Sequence, residues 1–154
     1  MINFLRYLDT QSGEDKRGFI VHYPANSGKS AFARRAAGLR PGIHYLDLLD
    51  ACLNDPNLPA IPQCGFEFLK NTLLGLSVRA ETVLVDNPDF LFNTWPSDDK
   101  HALLHWLKVQ LRSPAVSATT FAFFIQSDEI LAAAQFNNSA GQPRVLTLNQ
   151  FAAI

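Results

Sequence analysis

The feature that most constrains the fold is an alternation of short runs rich in β-branched and aromatic residues with longer segments of helical spacing. Parallel strands need crossover connections of a dozen or more residues, usually helices, and this alternation supplies them. It predicts a three-layer α/β/α domain with a five-stranded, mainly parallel sheet. The predicted strands are 19–22, 44–46, 82–85, 121–125 and 145–148, and the predicted helices are 2–9, 28–37, 47–53, 66–76, one from Asp98 or Asp99, and 128–134.

Length and composition set the outer limits. With 154 residues, the sequence predicts a single domain spanning 1–154. A content of 47% hydrophobic and 18% charged residues excludes wholesale disorder, and a formal charge of −1 excludes a polycation that coats nucleic acid. The two cysteines, Cys52 and Cys64, are too few for a disulfide framework. No signal peptide or membrane span is expected, so the predicted location is cytoplasmic.

A predicted strand, a glycine-containing loop and a helix follow one another in residues 19–37, where 19–30 read FIVHYPANSGKS. Walker A loops follow the pattern G-x-x-x-x-G-K-[ST], and Gly28, Lys29 and Ser30 match its last three positions. In such a loop, backbone N–H groups and the helix N-terminus surround a phosphate, the lysine reaches the β- and γ-phosphates, and the serine ligates Mg²⁺. The predicted nucleotide-binding residues are Asn26, Ser27, Gly28, Lys29 and Ser30.

Tyr23 stands where the Walker A pattern has its first glycine. A tyrosine cannot adopt the same backbone freely, so either the loop is wider or Pro24 resets its path. This departure predicts weaker nucleotide binding. The alternative is an ordinary strand-to-helix turn that carries an exposed lysine.

A hydrophobic strand that ends in an acid, residues 82–86, matches a Walker B element. A carboxylate at the end of a strand beside the phosphate loop can hold Mg²⁺, and Ser30 and Asp86 are therefore the predicted Mg²⁺ ligands. The catalytic glutamate that often follows this acid is replaced by Asn87, whose amide cannot accept a proton from water. Asp89 or Asp47 could substitute, although turn chemistry is the favoured interpretation of both.

Three further residues are candidates for roles at the γ-phosphate. Gln126 and Ser127 end the fourth predicted strand, where a sensor would lie; Ser127 could equally cap the helix predicted after it. Arg144, just before the last strand, is a candidate arginine finger for a neighbouring subunit, with Arg112 in reserve, although a solvated surface arginine is the simpler interpretation of each. The full predicted catalytic set is Asp86, Asn87, Asp89, Gln126, Ser127 and Arg144.

Two other groups of residues have simpler interpretations. His101 and His105 are four residues apart, but no third metal ligand is near in sequence, so a solvated helix face is favoured. A basic patch near the phosphate loop is also predicted, although it carries no interleaved aromatic residues of the kind that bind single strands. Its members are Lys16, Arg17, Arg34, Arg35 and Arg40.

The order of these motifs resembles a minimal AAA+-like core: residues 26–30, then 83–86, then Gln126 and Ser127. That resemblance implies a P-loop NTPase in which the fourth strand lies between the first and the third. Because the last predicted strand is close to Ile154, the helical lid domain of full AAA+ proteins is not expected.

Among small lidless P-loop proteins, the sequence resembles the BrxF family of type III bacteriophage-exclusion (BREX) defence systems. The size, the phosphate loop without its first glycine, and the run Asp86-Asn87-Pro88 carry the resemblance. It implies an ATP-binding or ATP-hydrolysing subunit that works on DNA with other defence proteins.

Three functions remain open from the sequence. The first is a protein that binds ATP and Mg²⁺, hydrolyses slowly, and uses the nucleotide to control a homo-oligomer or a partner interface. The second is a small-molecule or nucleotide kinase, which would need an arginine-rich lid that the sequence does not display. The third is a degenerate scaffold that does not hydrolyse nucleotide.

Overall fold

Five parallel strands form the centre of the molecule, in the spatial order β2-β3-β4-β1-β5. The computed structural model describes residues 1–76 and 80–154. The predicted five-stranded sheet is therefore confirmed, and every strand pair in it is parallel. The strands are β1 (Phe19–Tyr23), β2 (Ile43–Asp47), β3 (Thr82–Asp86), β4 (Thr120–Gln126) and β5 (Val145–Thr147).

Helices connect the strands and cover both faces of the sheet. In chain order they are α1 (Phe4–Ser12), α2 (Lys29–Ala37), α3 (Leu48–Leu53), α4 (Phe66–Leu76), α5 (Asp89–Phe92) and α6 (Ser97–His105), which continues as a π-helical turn (Trp106–Gln110). Short 3₁₀ turns occupy Ile61–Gln63 and Leu148–Gln150. The five predicted helices that begin before residue 100 are present, with small shifts at their ends.

Alternate residues of the strands point to opposite faces, so each face has its own apolar core. On β4, Phe121, Phe123 and Ile125 face the core built by α3 to α6, whereas Ala122 and Phe124 face the core built by α1 and α2. All five side chains are at most 1% exposed. The molecule therefore has three layers, with α1 and α2 on one side of the sheet and α3 to α6 on the other.

The order of strands places β4 between β1 and β3, as the resemblance to AAA+-like cores implied. Tyr23 at the end of β1 pairs with Gln126 at the end of β4, and Asp86 at the end of β3 pairs with Phe124. The carboxyl ends of these three strands therefore meet at one edge of the sheet, and the loop predicted to bind phosphate follows β1 at that same edge.

The helix predicted over 128–134 is wrong, because residues 129–133 form turns instead. Oδ1 of Asp128 accepts hydrogen bonds from the backbone nitrogens of Ile130 and Leu131, at 2.7 and 2.8 Å. A side-chain carboxylate that bonds nearby N–H groups offers the backbone an alternative to a helix, and a segment this short has little propensity to resist it.

Candidate functional site

A cavity of about 270 Å³ lies at the carboxyl ends of β1, β3 and β4. We call it the cradle; it is lined by residues 25–31 together with Asp86, Asn87, Asp89 and Gln126. The structure thus brings together nine of the eleven residues predicted for the site, from three separate parts of the chain. The two that it does not bring there are Ser127 and Arg144.

The loop that forms one wall of the cradle turns through two residues with positive φ, Asn26 at 55° and Gly28 at 87°. A side chain at position 28 would meet no atom within 4 Å, so the glycine is required here by its backbone angle. α2 begins at the next residue, and no side chain caps its N-terminus. The first N–H groups of a helix lack intrahelical acceptors, and here they remain available to an anion.

The side chain of Lys29 lies against the loop from which it projects. Its Nζ donates to the carbonyl oxygens of Tyr23 and Pro24, at 3.0 and 2.8 Å, and to Oγ of Ser27, at 3.3 Å. Burial lowers the pKa of Lys29, while the nearby carboxylates of Asp89 and Asp86 raise it. A cation with three oxygen partners is therefore held at the wall of the cradle, where a phosphate would compete with those oxygens for its protons.

Tyr23, the departure from the Walker A pattern, contributes its backbone to this arrangement. Its ring is not part of the cradle lining, and its carbonyl oxygen accepts from both Lys29 and the backbone nitrogen of Ser127. The cradle is therefore open despite the tyrosine.

Asp86 is 2% exposed and lines the cradle, as does Ser30. The hydroxyl of Tyr45 on β2 donates to Oδ2 of Asp86 at 2.5 Å, and burial, together with that carboxylate, raises the pKa of Tyr45. Oδ1 of Asp86 accepts no hydrogen bond from residues 1–76 and 80–154. Every fully buried side-chain oxygen in these residues has a partner, so Oδ1 is not fully buried. Because Asp86 lines the cradle, Oδ1 is open to it. Asp86 thus presents one bare carboxylate oxygen.

The segment after β3 supplies an amide and a second carboxylate. Asn87 has a φ of 55°, a conformation that asparagine tolerates better than most residues, and it lines the cradle. Asp89 begins α5, and its Oδ1 accepts from the backbone nitrogen of Gln126 at 2.9 Å. Burial raises the pKa of Asp89, although that backbone bond and Lys29 oppose the shift. A carboxylate with a raised pKa is a better proton acceptor.

Gln126, the last residue of β4, and Ser127, which follows it, lie in different surroundings. Gln126 is exposed and lines the cradle. Ser127 lies outside it, where its Oγ is 3.1 Å from Nδ1 of His22 and its backbone nitrogen donates to Tyr23. Ser127 caps no helix, because none follows, and its contacts join the ends of β1 and β4.

The prediction that Arg144 is an arginine finger is wrong for the side chain that the structure shows. Arg144 precedes β5 at the amino edge of the sheet and is 2% exposed. Its Nε donates to the carbonyl oxygen of Gly18 at 3.0 Å and its Nη2 to that of Leu107 at 2.7 Å. A finger must extend from the surface to reach a neighbour's phosphate, and a buried side chain held by two carbonyl oxygens of its own chain does not extend.

Other predicted candidates also lie away from the cradle. Arg112 pairs with Asp15 at the surface, with Nη2 2.9 Å from Oδ2. Asp47 caps α3 by accepting from the backbone nitrogen of Asp50, which confirms the turn-chemistry interpretation. His101 and His105 are exposed on α6, and the described parts of the chain contain no group of three or more metal-ligating side chains.

The predicted basic patch near the phosphate loop is wrong in part. Lys16 and Arg17 precede β1 and therefore lie at the amino edge of the sheet, whereas the loop follows β1 at the other edge. Arg17 is bonded to the carbonyl oxygens of Glu14 and Ala118, and Arg40 pairs with Asp9. The reason is strand direction, which separates residues before and after a strand by its full length.

Tyr45 is the residue of this site that the sequence analysis missed. It faces Leu84 in the register of β2 and β3, and alternate residues share a face, so Tyr45 and Asp86 lie on the same side of the sheet. A hydroxyl-bearing residue two positions before the end of the strand adjoining β3 was the available signal.

Comparison of the chain with protein-family models, with curated proteins and with solved structures finds no significant match. No helix in the described parts of the chain is both long and apolar enough to span a membrane.

Proposed function

We propose that this chain is a P-loop protein that binds ATP with Mg²⁺ in the cradle. The observation that carries the proposal is the composition of that one cavity. An uncapped helix N-terminus and Lys29 line it, and so do the unpaired Oδ1 of Asp86 and the hydroxyl of Ser30. The first pair suits the phosphates of a nucleotide, and the second suits its metal ion.

Mg²⁺ fits the oxygen donors that the cradle offers. Ser30 and Asp86 would hold it, since Mg²⁺ in nucleotide sites usually takes one or two protein oxygens and completes its shell with phosphates and water. The bound ion would neutralise phosphate charge. Tyr45 fixes the carboxylate of Asp86 through Oδ2, which leaves Oδ1 directed at the cavity.

Slow hydrolysis is the chemistry that the remaining residues support. Asn87 can orient a water molecule through its amide but cannot take its proton. Asp89 lines the same cavity, is held by the backbone of Gln126, and has a raised pKa, so it is the base in this proposal. A base that is displaced from the usual position next to Asp86 predicts a low rate.

We further propose that the nucleotide controls assembly of a cytoplasmic homo-oligomer or of a complex with other proteins. The order of strands, with β4 between β1 and β3, agrees with the AAA+-like resemblance, whose members work as assemblies. The resemblance to BrxF extends the proposal to bacterial anti-phage defence of the BREX type, with DNA contacted directly or through defence partners.

Calorimetric titration with ATP and Mg²⁺ tests the central claim. Wild-type protein should bind, and Lys29→Ala should bind about 10- to 100-fold more weakly, because charge-assisted hydrogen bonds contribute roughly 1.5–3 kcal/mol each. Lys70→Ala, which removes a lysine that pairs with Glu67 on α4, is the matched control and should bind normally. Equal affinities of wild type and Lys29→Ala would refute the proposal.

Size-exclusion chromatography with and without ATP and Mg²⁺ tests the assembly claim separately. A nucleotide-dependent change in elution volume is expected for wild type and not for Lys29→Ala. If wild type binds ATP but elutes unchanged, alone and with candidate partners, the chain binds nucleotide without using it for assembly.

One observation favours the alternative of a degenerate scaffold. Nζ of Lys29 already has three oxygen partners within its own loop, and in a degenerate scaffold these hydrogen bonds would serve only to stabilise the loop. In that case Lys29→Ala would lower the free energy of unfolding without changing any nucleotide affinity.

A further inference from the structure

A second cavity, of about 500 Å³, lies at the opposite edge of the sheet from the cradle. Its cationic wall is formed by Lys16 before β1, Lys108 in the turn after α6, and Arg144 before β5. Because all strands are parallel, residues that precede them lie at the amino edge, and the cavity shares no lining residue with the cradle. We call it the amino-edge cavity.

Arg144 is the most unusual residue of this cavity. It is 2% exposed, and no carboxylate of residues 1–76 and 80–154 lies within ion-pair distance of it. Buried charges are normally paired, because removing a cation from water is costly. Burial lowers the pKa of Arg144 to about 10, so the side chain is still a cation at neutral pH.

The guanidinium has a free end that faces the cavity. Its Nε and Nη2 donate to the carbonyl oxygens of Gly18 and Leu107, and the described residues give Nη1 no partner. Every fully buried side-chain nitrogen in this part of the structure has a partner, so Nη1 is the accessible atom. A planar guanidinium that is fixed through two of its nitrogens and has the third one free is pre-organised to bind an anion.

The two lysines have no carboxylate partner either, within the residues that the structure describes. Lys108 and Arg144 both lie over the ring of Phe136, at 5.4 and 4.8 Å from its centroid, which holds the two cations on a common platform.

The acidic residues of the cavity are already engaged. Both carboxylate oxygens of Glu14 accept from Oγ of Ser139, at 2.8 and 2.6 Å, and one also accepts from its backbone nitrogen. Asp15 is paired with Arg112, which is outside the cavity lining. Ser139 does not neutralise Glu14, whose negative charge raises the pKa of Arg144 against the effect of burial. The lining therefore holds three cations against one carboxylate that has no cation within ion-pair distance among the described residues.

We propose that the amino-edge cavity binds a phosphate group, either as free phosphate or as the phosphoester of a small molecule. With Glu14 counted against the three cations, and Asp15 paired with Arg112, the lining carries an excess of positive charge that suits the two negative charges of a phosphate better than the single charge of a carboxylate. The uncharged amides of Gln135 and Asn137 line the remaining wall and could bond the body of a phosphoester.

Titration of the isotope-labelled protein with inorganic phosphate and, separately, with AMP tests this proposal by NMR. Because the two cavities share no residues, backbone amide shifts at 135–139 report this site and those at 26–31 report the cradle. Saturable shifts at 135–139 are expected. Tighter binding of AMP than of phosphate identifies a phosphoester, and equal binding identifies free phosphate.

Lys16→Gln combined with Lys108→Gln is the decisive variant, because neither lysine is buried and the fold should survive. It should weaken the response at 135–139 by about tenfold or more, since two charge-assisted contacts are lost. The control, Arg35→Gln combined with Lys70→Gln, removes the same charge elsewhere and should change affinity by less than about twofold. An absence of saturable shifts, or equal affinity in the two double variants, would overturn the proposal.

Arg144→Lys provides a second measurement. It keeps the positive charge but loses the planar fork, so phosphate affinity should fall while a folded spectrum is retained. If this variant does not fold, the lysine variants still decide the matter. An unchanged affinity in a folded Arg144→Lys protein would also count against the proposal.

Discussion

The hydroxyl of Tyr45 donates a hydrogen bond to Oδ2 of Asp86 at 2.5 Å, between neighbouring strands of the sheet. The guanidinium of Arg34 lies 5.4 Å from the centre of the same tyrosine ring, so the phenol is fixed from a second side. This contact decides which carboxylate oxygen of Asp86 is free. The orientation of a metal-binding carboxylate commonly depends on such an outer partner.

Tyr45→Phe should therefore lower the stability of the fold, and it should also make nucleotide binding less dependent on Mg²⁺. Loss of one hydrogen bond to a buried carboxylate is expected to reduce the free energy of unfolding by about 1–3 kcal/mol. Urea unfolding measures the first effect, and calorimetry at varied Mg²⁺ measures the second. Tyr23→Phe is the control, because its hydroxyl has no hydrogen bond to the described residues, and it should change stability by less than about 0.5 kcal/mol. Equal loss in both variants would contradict the role assigned to Tyr45.

Asp89→Asn should abolish ATP hydrolysis and preserve ATP binding. The amide still accepts from the backbone nitrogen of Gln126 but cannot take a proton, so the rate should fall by about 10²- to 10⁴-fold. Phosphate release under saturating ATP is the measurement. Asp98→Asn, an exposed position in the first turn of α6, should hydrolyse at the wild-type rate. A normal rate in Asp89→Asn would remove Asp89 from the mechanism.

The same substitution makes a prediction about pH and stability. The pKa of Asp89 is raised in the folded protein, so its contribution to stability is present below its unfolded pKa and is lost as pH rises through its folded pKa. Asparagine mimics the protonated form. Asp89→Asn should therefore match wild type in acid and exceed it in stability at neutral pH, with the gap opening from about pH 4 upward. A constant gap across pH in denaturant unfolding would contradict the raised pKa.

Gly28→Ala and Gly75→Ala should have opposite effects on stability. A side chain at either position meets no atom within 4 Å, so only the backbone distinguishes them. Gly28 has a φ of 87°, where alanine costs about 1–2 kcal/mol. Gly75 lies in helix α4, where alanine stabilises by roughly 0.5–1 kcal/mol. Chemical denaturation of both variants tests this, and a stabilising Gly28→Ala would show that the loop backbone is not held as described.

Arg144→Ala should destabilise the fold far more than Arg112→Ala. The first leaves the buried carbonyl oxygens of Gly18 and Leu107 without a donor, at a cost of about 2–4 kcal/mol. The second removes an exposed ion pair with Asp15, worth about 0–1 kcal/mol. Urea unfolding of the two variants gives the comparison. Similar small losses would mean that Arg144 contributes little to the fold.

Most of the fold could be predicted from the sequence because its signals are local. Buried strands such as β4 read as continuous apolar runs, and α2 begins directly after a glycine that its loop requires. The wrong prediction of a helix over 128–134 also has a local cause. Asp128 was interpreted as the start of that helix, whereas its carboxylate closes a turn. Residue spacing does not show whether the carboxylate of Asp128 caps a helix or closes a turn, because both use nearby backbone N–H groups.

The site could be predicted only where its residues follow strands at the same edge. Gly28 was predicted from its match to the Walker A pattern, and Asp86 and Gln126 were predicted from their positions at the ends of strands. The structure places all three in one cavity because parallel strands end together. Arg144 was misassigned because exposure depends on what packs against a residue, here Phe136 and the turn after α6. Tyr45 was missed because its contact with Asp86 joins strands that are 41 positions apart in the chain.

Strand β1 has one cation bound to the backbone at each end, Arg144 at Gly18 and Lys29 at Tyr23. Five residue steps separate these two carbonyls, a span of about 16 Å. This inner strand, which lies between β4 and β5, is thus held at both ends by a cation. A ligand that draws either cation off its carbonyl oxygen would loosen that end of β1. Ligand binding at one edge of the sheet should therefore change the amide exchange rates along β1 as far as the other edge.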